Sequence, residues 1–330
     1  MSARGGRPPK GDGEIPGARG AFLKITYHHS LPTMLADDIL RLKEEKNAVI
    51  LAHNYQPAEV QDVADILGDS LELSRAAAGE EADLIVFCGV DFMAQTAAIL
   101  SPDKRVILPE AGACCPMAQM ISARDLKRFR QDDPQAAVVC YVNSSAEVKA
   151  ESDICCTSAN GIEVVASLAE DRVLFVPDRN LGRYVARFTD KEIIPWDGYC
   201  YVHDRYTVED VRRAKALHPG AELLVHPECR PEVIDLADGV YSTSGIARRA
   251  KESRAGEFII GTEVGMNHRL YRENPGKEFY PLSEEAVCAD MKKTTLEKVH
   301  SALLTQEPRV VVPEKIADRA RTAIERMLAV

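Results

Sequence analysis

The chain has 330 residues, 45% of them hydrophobic, and its 51 acidic against 41 basic side chains leave a formal charge of −10. That length exceeds one typical domain, the apolar fraction is ordinary for a soluble globular protein, and the acidic balance argues against a nucleic-acid surface over the whole chain. No run approaches the ~18 apolar residues of a membrane span, and the start MSARGGRPPKGDGEIPGARG lacks the apolar stretch of a secretion signal, so a cytoplasmic location without membrane or nucleic-acid partners is expected.

Residues 1–35 open with Gly, Pro and basic side chains, which cannot bury enough apolar area to offset chain entropy, and read as a flexible extension and lead-in. From residue 36 a unit begins: LADDILRLKEEKNAVILAHNY (36–55) has the form amphipathic helix, apolar strand, polar loop. ARDLKRFRQDDPQAAVVCYVN (123–143) and VEDVRRAKALHPGAELLVHPE (208–228) repeat it. Later features keep step. His53, Tyr141 and His226 are spaced by 88 and then 85 residues, as are Tyr55, Asn143 and Glu228, and Ser70, Ser158 and Thr243. A further apolar strand follows in each unit (ADLIVFCGVD, DRVLFVPDRN, GEFIIGTEVG), and each then runs through a helix and an extended stretch to a cysteine: Cys115, Cys200 and Cys288.

Short apolar strands alternating with helices imply right-handed parallel units with helices on both faces. The expected class is therefore α/β: three homologous α/β/α domains with small parallel sheets, at 36–122, 123–207 and 208–295, in pseudo-threefold arrangement around a central site. Residues 296–330 are expected to form C-terminal helices packing on the body. Ligands bind at the carboxyl ends of parallel strands, and the triples His53/Asn54/Tyr55, Tyr141/Val142/Asn143 and His226/Pro227/Glu228 fall at such ends.

Nine cysteines in a reducing compartment read as buried thiols, metal ligands or catalytic groups. Cys115, Cys200 and Cys288 share the phase of the repeat, so each closes one unit; Cys88, Cys140 and Cys229 do not and read as buried small hydrophobes, and the Cys155/Cys156 pair lacks counterparts. Structural zinc prefers four closed ligands, commonly in CxxC pairs, which this chain lacks. A [4Fe–4S] cluster normally takes four cysteines; with three, one iron keeps an open position that can act as a Lewis acid, which suits dehydration better than electron transfer.

A small dianionic substrate needs hydroxyl, amide and imidazole donors, because an unpaired carboxylate is costly to bury. Ser70, Ser158 and Thr243 fit, and read equally well as N-caps of the following helices, where anions also bind. Glu228 is the only carboxylate among the nine loop-tip residues and is a candidate for proton transfer, with Tyr55 as its companion. A surface charge is the plainer reading of that glutamate, and a structural imidazole that of His53 or His226 taken singly.

The segments AHNYQ, GDSLELS, GVDFMA, YVNSSAEVKAESDICCTSAN, PDRNLG, HPEC, STSG and GTEVGM, with the three separated cysteines, resemble quinolinate synthase over about residues 36–300. The resemblance implies a transferase that condenses iminoaspartate with dihydroxyacetone phosphate to quinolinate, phosphate and water in NAD biosynthesis. It implies one oxygen-sensitive [4Fe–4S] cluster held by Cys115, Cys200 and Cys288; Cys115 is preferred to Cys114 because CPMA matches the family's ligand followed by a small residue and Met-Ala. It implies catalytic roles for Glu228, Tyr55 and His53, and substrate binding by His53, Ser70, Tyr141, Val142, Asn143, Ser158, His226, Pro227, Glu228 and Thr243. Transient contact with an aspartate-oxidising enzyme would accompany it. Two alternatives remain at this level: another [4Fe–4S] hydro-lyase acting on a small dicarboxylate, and a non-catalytic iron–sulfur redox sensor.

Overall fold

The computed structural model describes residues 34–330. The extension expected over 1–35 lies outside the described residues but for Met34 and Leu35, which open the helix Met34–Glu45. The first sheet comprises β1 (Ala48–His53), β2 (Ile66–Gly68), β3 (Leu84–Cys88) and β4 (Arg105–Ile107), in the order β2-β1-β3-β4. The second comprises β5 (Ala137–Tyr141), β6 (Ile154–Cys156), β7 (Arg172–Val176) and β8 (Glu192–Pro195), ordered β6-β5-β7-β8. In the third, β9 (Glu222–Val225), β10 (Gly239–Val240), β11 (Glu257–Gly261) and β12 (Glu278–Pro281) run in the order β10-β9-β11-β12.

Every strand pair in the three sheets is parallel. The α/β class and the three small parallel sheets are those expected from the sequence. The central strands read as unbroken apolar runs because both faces are covered: β3 and β5 are buried along their whole length.

Two local devices recur once beside each of the three sheets. Asp65, Asp153 and Asp238 each stand one residue before the second strand of their sheet. Each accepts the backbone N–H of Ile50, Val138 or Leu223 on the first strand, at 2.8 Å in all three cases. The carboxylate thereby pins the start of one strand to the approach of the next. Seven residues after each of Cys115, Cys200 and Cys288 stands a hydroxyl, Ser122, Thr207 or Thr295, that caps the next helix by accepting from Asp125, Asp210 or Lys298 N–H. An N-cap contributes about 1 kcal/mol; here it also sets where each cysteine loop ends.

The helix Leu296–Thr305 follows the third such cap and packs with the helix Met34–Glu45: Val299 and Leu303 bury against Ile39, Leu42 and Ile50 on the outer side of the first sheet. The helix Glu314–Leu328 buries Ile324 and Met327 in the main core. Fully burying each such side chain stabilises by roughly 1.5–3 kcal/mol. Among the described residues no helix is long and apolar enough to cross a membrane. In each sheet the chain goes from the first strand to one side and then crosses to the other, so the loops after the first and third strands diverge, which opens a crevice at their carboxyl ends.

Candidate active site and metal centre

One cavity takes its walls from the strand ends of all three sheets. His53, Tyr55 and Ser70 line it from the first, Tyr141, Asn143 and Ser158 from the second, and His226, Glu228 and Thr243 from the third. Cys115, Cys200 and Cys288 line it as well. Val142 and Pro227 do not: in an extended loop the middle residue of a triple points away from its neighbours, and the Val142 side chain belongs to the hydrophobic core.

The repeat survives at atomic detail in the two histidines. Tyr55 N–H donates to His53 Nδ1 at 3.1 Å, and Glu228 N–H donates to His226 Nδ1 at 3.3 Å. Each Nδ1 is therefore an acceptor, which leaves the proton on Nε2, and His226 Nε2 lies 3.1 Å from Ser158 Oγ. Burial keeps both rings neutral, lowering His53 to about 4 and His226 to about 3. These are donors to an acidic ligand that carry no charge of their own.

Glu228 is buried, not a surface charge. Tyr141 Oη donates to its Oε1 at 2.6 Å, and His203 Nδ1 lies 2.7 Å from its Oε2. Burial alone would raise this carboxyl, but His226 and His203, together with the bonds from His203 and Tyr141, outweigh it and hold Glu228 well below the usual carboxylate range. Burial, then the nearby Glu228 charge, pushes the Tyr55 and Tyr141 phenols well up, so both keep their protons. Tyr55 Oη sits 2.6 Å from Thr262 Oγ1.

The cap reading is corrected by one residue at Ser70 and Thr243 and by two at Ser158. Asp69 and Ser242 are the caps, accepting from the first-turn N–H groups, and Ser70 and Thr243 are the first residues of their helices. Their side chains are thereby released toward the cavity. Thr243 Oγ1 accepts from Asn54 Nδ2 at 2.8 Å, and Ser242 Oγ lies 3.0 Å from Asp69 Oδ2, which ties the first and third units together beside the site. Ser158 stands ahead of Asn160, which precedes the helix Gly161–Ala166 without a side-chain cap bond.

The donor chemistry of the cysteines fits a metal group. All three belong to one cavity, and burial raises each thiol. Sulfur this buried becomes thiolate only beside a cation. Each also faces the backbone N–H three residues on, from Ala118, His203 and Met291 respectively. Such bonds favour a thiolate and tune a metal-bound sulfur. Asn143 Oδ1 is buried with no partner among the described residues, which suits a ligand's N–H or O–H. Cys114 does not line the cavity; Cys88, Cys140 and Cys229 are fully buried away from it, Cys140 with its Sγ 2.9 Å from Ser144 Oγ.

His203 was missed by the sequence reading. It bridges Cys200 and Glu228, stacks on His226 with ring centroids 4.5 Å apart, and places Nε2 2.8 Å from Thr262 Oγ1. The apolar wall, Val90, Phe92, Met93, Val202 and Met291, was missed as well.

A parallel α/β scaffold with a buried acid–base cluster beside three converging cysteines defines a metal-dependent enzyme acting on small molecules. The family described as quinolinate synthetase A protein matches residues 37–329. A quinolinate synthase of Methanoregula boonei is 67% identical over 90% of this chain and 98% of its own length. Those of Methanothermobacter thermautotrophicus and Dehalococcoides mccartyi are 58% and 56% identical, each over 90% of this chain and 98% of its own length. The chain belongs to the quinolinate synthetase A family.

Proposed function

We propose that this cavity condenses iminoaspartate with dihydroxyacetone phosphate to quinolinate, releasing phosphate and water, as the ring-building step of de novo NAD synthesis. The observation that carries the reading is the meeting of three cysteines, one from each repeat (36–122, 123–207, 208–295), with Glu228 in one cavity. Cys115, Cys200 and Cys288 would hold one [4Fe–4S] cluster per chain. When bound, a three-cysteine cluster supplies an iron without a protein ligand, a Lewis-acid position for substrate oxygen or nitrogen.

The chain's own groups do the rest. His53, Ser70, Ser158, His226 and Thr243 offer neutral donors to the substrate carboxylates, which avoids the cost of burying an unpaired anion. Asn143 Oδ1, without a partner among the described residues, accepts from the substrate nitrogen. Val142 and Pro227 contribute backbone only. Imine–enamine isomerisation and loss of water both need a group that takes a proton and returns it, and Glu228 is the carboxylate at hand. While Tyr141 and His203 donate to it, its basicity is suppressed. Substrate that draws away the Tyr141 hydroxyl removes one of those donors from a buried carboxylate and raises its affinity for a proton. Tyr55, protonated and bonded to Thr262, is the matching acid; His53 braces it through Tyr55 N–H.

Iminoaspartate hydrolyses readily, so brief contact with the aspartate-oxidising enzyme that makes it completes the proposal. The deciding experiment supplies both substrates to cluster-loaded protein without oxygen. Quinolinate and phosphate in equal amounts support the reading, and dehydration of a small dicarboxylate without phosphate release would replace it with the hydro-lyase alternative.

A further inference from the structure

Cys200, His203 and Glu228 form a donor set with a use of its own. His203 Nδ1 lies 3.2 Å from Cys200 Sγ and 2.7 Å from Glu228 Oε2, and one ligand atom from each of the three falls within 4.8 Å of the others. The imidazole and the carboxylate are both braced from behind. His203 Nε2 is 2.8 Å from Thr262 Oγ1, and Glu228 Oε1 accepts from Tyr141 Oη at 2.6 Å. Partners of this kind on the outer nitrogen of an imidazole and the outer oxygen of a carboxylate are what orient metal ligands.

We propose that the cluster-free protein binds one zinc ion at Cys200, His203 and Glu228, and that this ion competes with cluster loading. One sulfur, one imidazole nitrogen and one carboxylate oxygen with the fourth position open is a zinc-type set. At nitrogen and sulfur sites zinc binds more tightly than ferrous iron. Charge also balances, because a thiolate and a carboxylate neutralise a dication in a buried place where a net charge is costly. On binding, the Cys200 thiol loses its proton to solvent as the S–Zn bond forms. The imidazole proton shifts from Nδ1 to Nε2, where Thr262 Oγ1 accepts it, and the Nδ1 lone pair takes the metal. Glu228 is already ionised, so one proton leaves per ion bound. The ion engages a cluster ligand and the acid–base carboxylate at once.

The test uses the full chain, stripped of cluster by a chelator in air, reduced, and dialysed against zinc chloride or cobalt chloride. Wild type should retain about one zinc per chain and, with cobalt, show the thiolate charge-transfer and visible bands of a four-coordinate site. Zinc should raise its melting temperature. Cys200→Ser should abolish the charge-transfer band, and His203→Gln and Glu228→Gln should each weaken zinc binding by ~10-fold or more. Circular dichroism on each variant separates lost binding from lost folding. Cys115→Ser and Cys288→Ser should keep the ion; if they lose it as completely as Cys200→Ser, the metal sits among the three thiols and the assignment falls. Zinc-loaded protein that rebuilds its cluster as fast as metal-free protein would overturn the competition. These readouts need no substrate, so a failure to form quinolinate leaves them intact.

Discussion

Glu263 Oε1 accepts the backbone N–H of Cys288 at 3.1 Å, so the third cysteine is held by a buried carboxylate two residues past the end of β11. The same carboxylate pairs with Lys292 at 2.9 Å, and Lys292 Nζ donates to the Tyr55 carbonyl. One ion pair thus ties the Cys288 loop to the loop carrying Tyr55. Lys292→Met strands Glu263 as an unpaired buried charge and should cost about 3 kcal/mol or more. Iron per chain after anaerobic reconstitution should fall with it. Normal iron content beside a lowered melting temperature would mean that the pair serves stability alone.

Changing Cys115, Cys200 or Cys288 to Ser should remove most of the broad absorbance near ~400 nm expected of a [4Fe–4S] centre, whereas Cys114→Ser should not. Cys114 lies outside the cavity lining, with its N–H directed toward Asp290 at 3.4 Å. Equal loss from Cys114→Ser would show that the ligand is the other member of the pair.

Glu228→Gln preserves shape and most hydrogen bonding but removes the proton acceptor. Turnover should fall by ~10²-fold or more with the cluster spectrum unchanged. Tyr141→Phe removes a donor to Glu228 and should raise its pKa, moving the acid limb of the kcat/KM profile upward. A profile that stays in place would show that this limb does not report Glu228.

Acid should destabilise the cluster-free protein through its buried histidines. The folded-state values of about 4 for His53 and about 3 for His226 lie below the unfolded value of 6.5. The unfolded chain therefore binds protons first, and stability present above pH ~6.5 is lost as pH falls toward ~4 and below, on the order of 3 kcal/mol per histidine. Melting curves of wild type and His226→Gln from pH 7 to 4 check this; the variant should show the shallower decline. Parallel declines would remove His226 from the account.

The strands, their repeat and the common phase of the three cysteines were legible because each feature occurs three times in step, and coincidence rarely repeats. His203 was hidden for the opposite reason. Its counterparts, three residues after the other two cysteines, are Ala118 and Met291, so no repeat announced it. Its being the one polar residue of the three was the available signal. Two of the caps were misread by one position because Asp69 and Ser242 directly precede hydroxyls that also suit the role. The link from Glu263 to Cys288 joins GTEVGM to VCADMKK across 25 residues, a contact that only the fold makes.

Chains built from successive like units tend to come apart from their ends, since each unit touches only its neighbours. Here the helix Leu296–Thr305, which begins as a fourth unit would, is spent on covering the first sheet, where Val299 and Leu303 meet Ile39 and Leu42. That helix cannot leave without uncovering the first sheet, so the first unit and the segment that closes the third stay folded or open together. Unfolding should then be one cooperative event, and the cysteines of the first and third units should lose their mutual placement together.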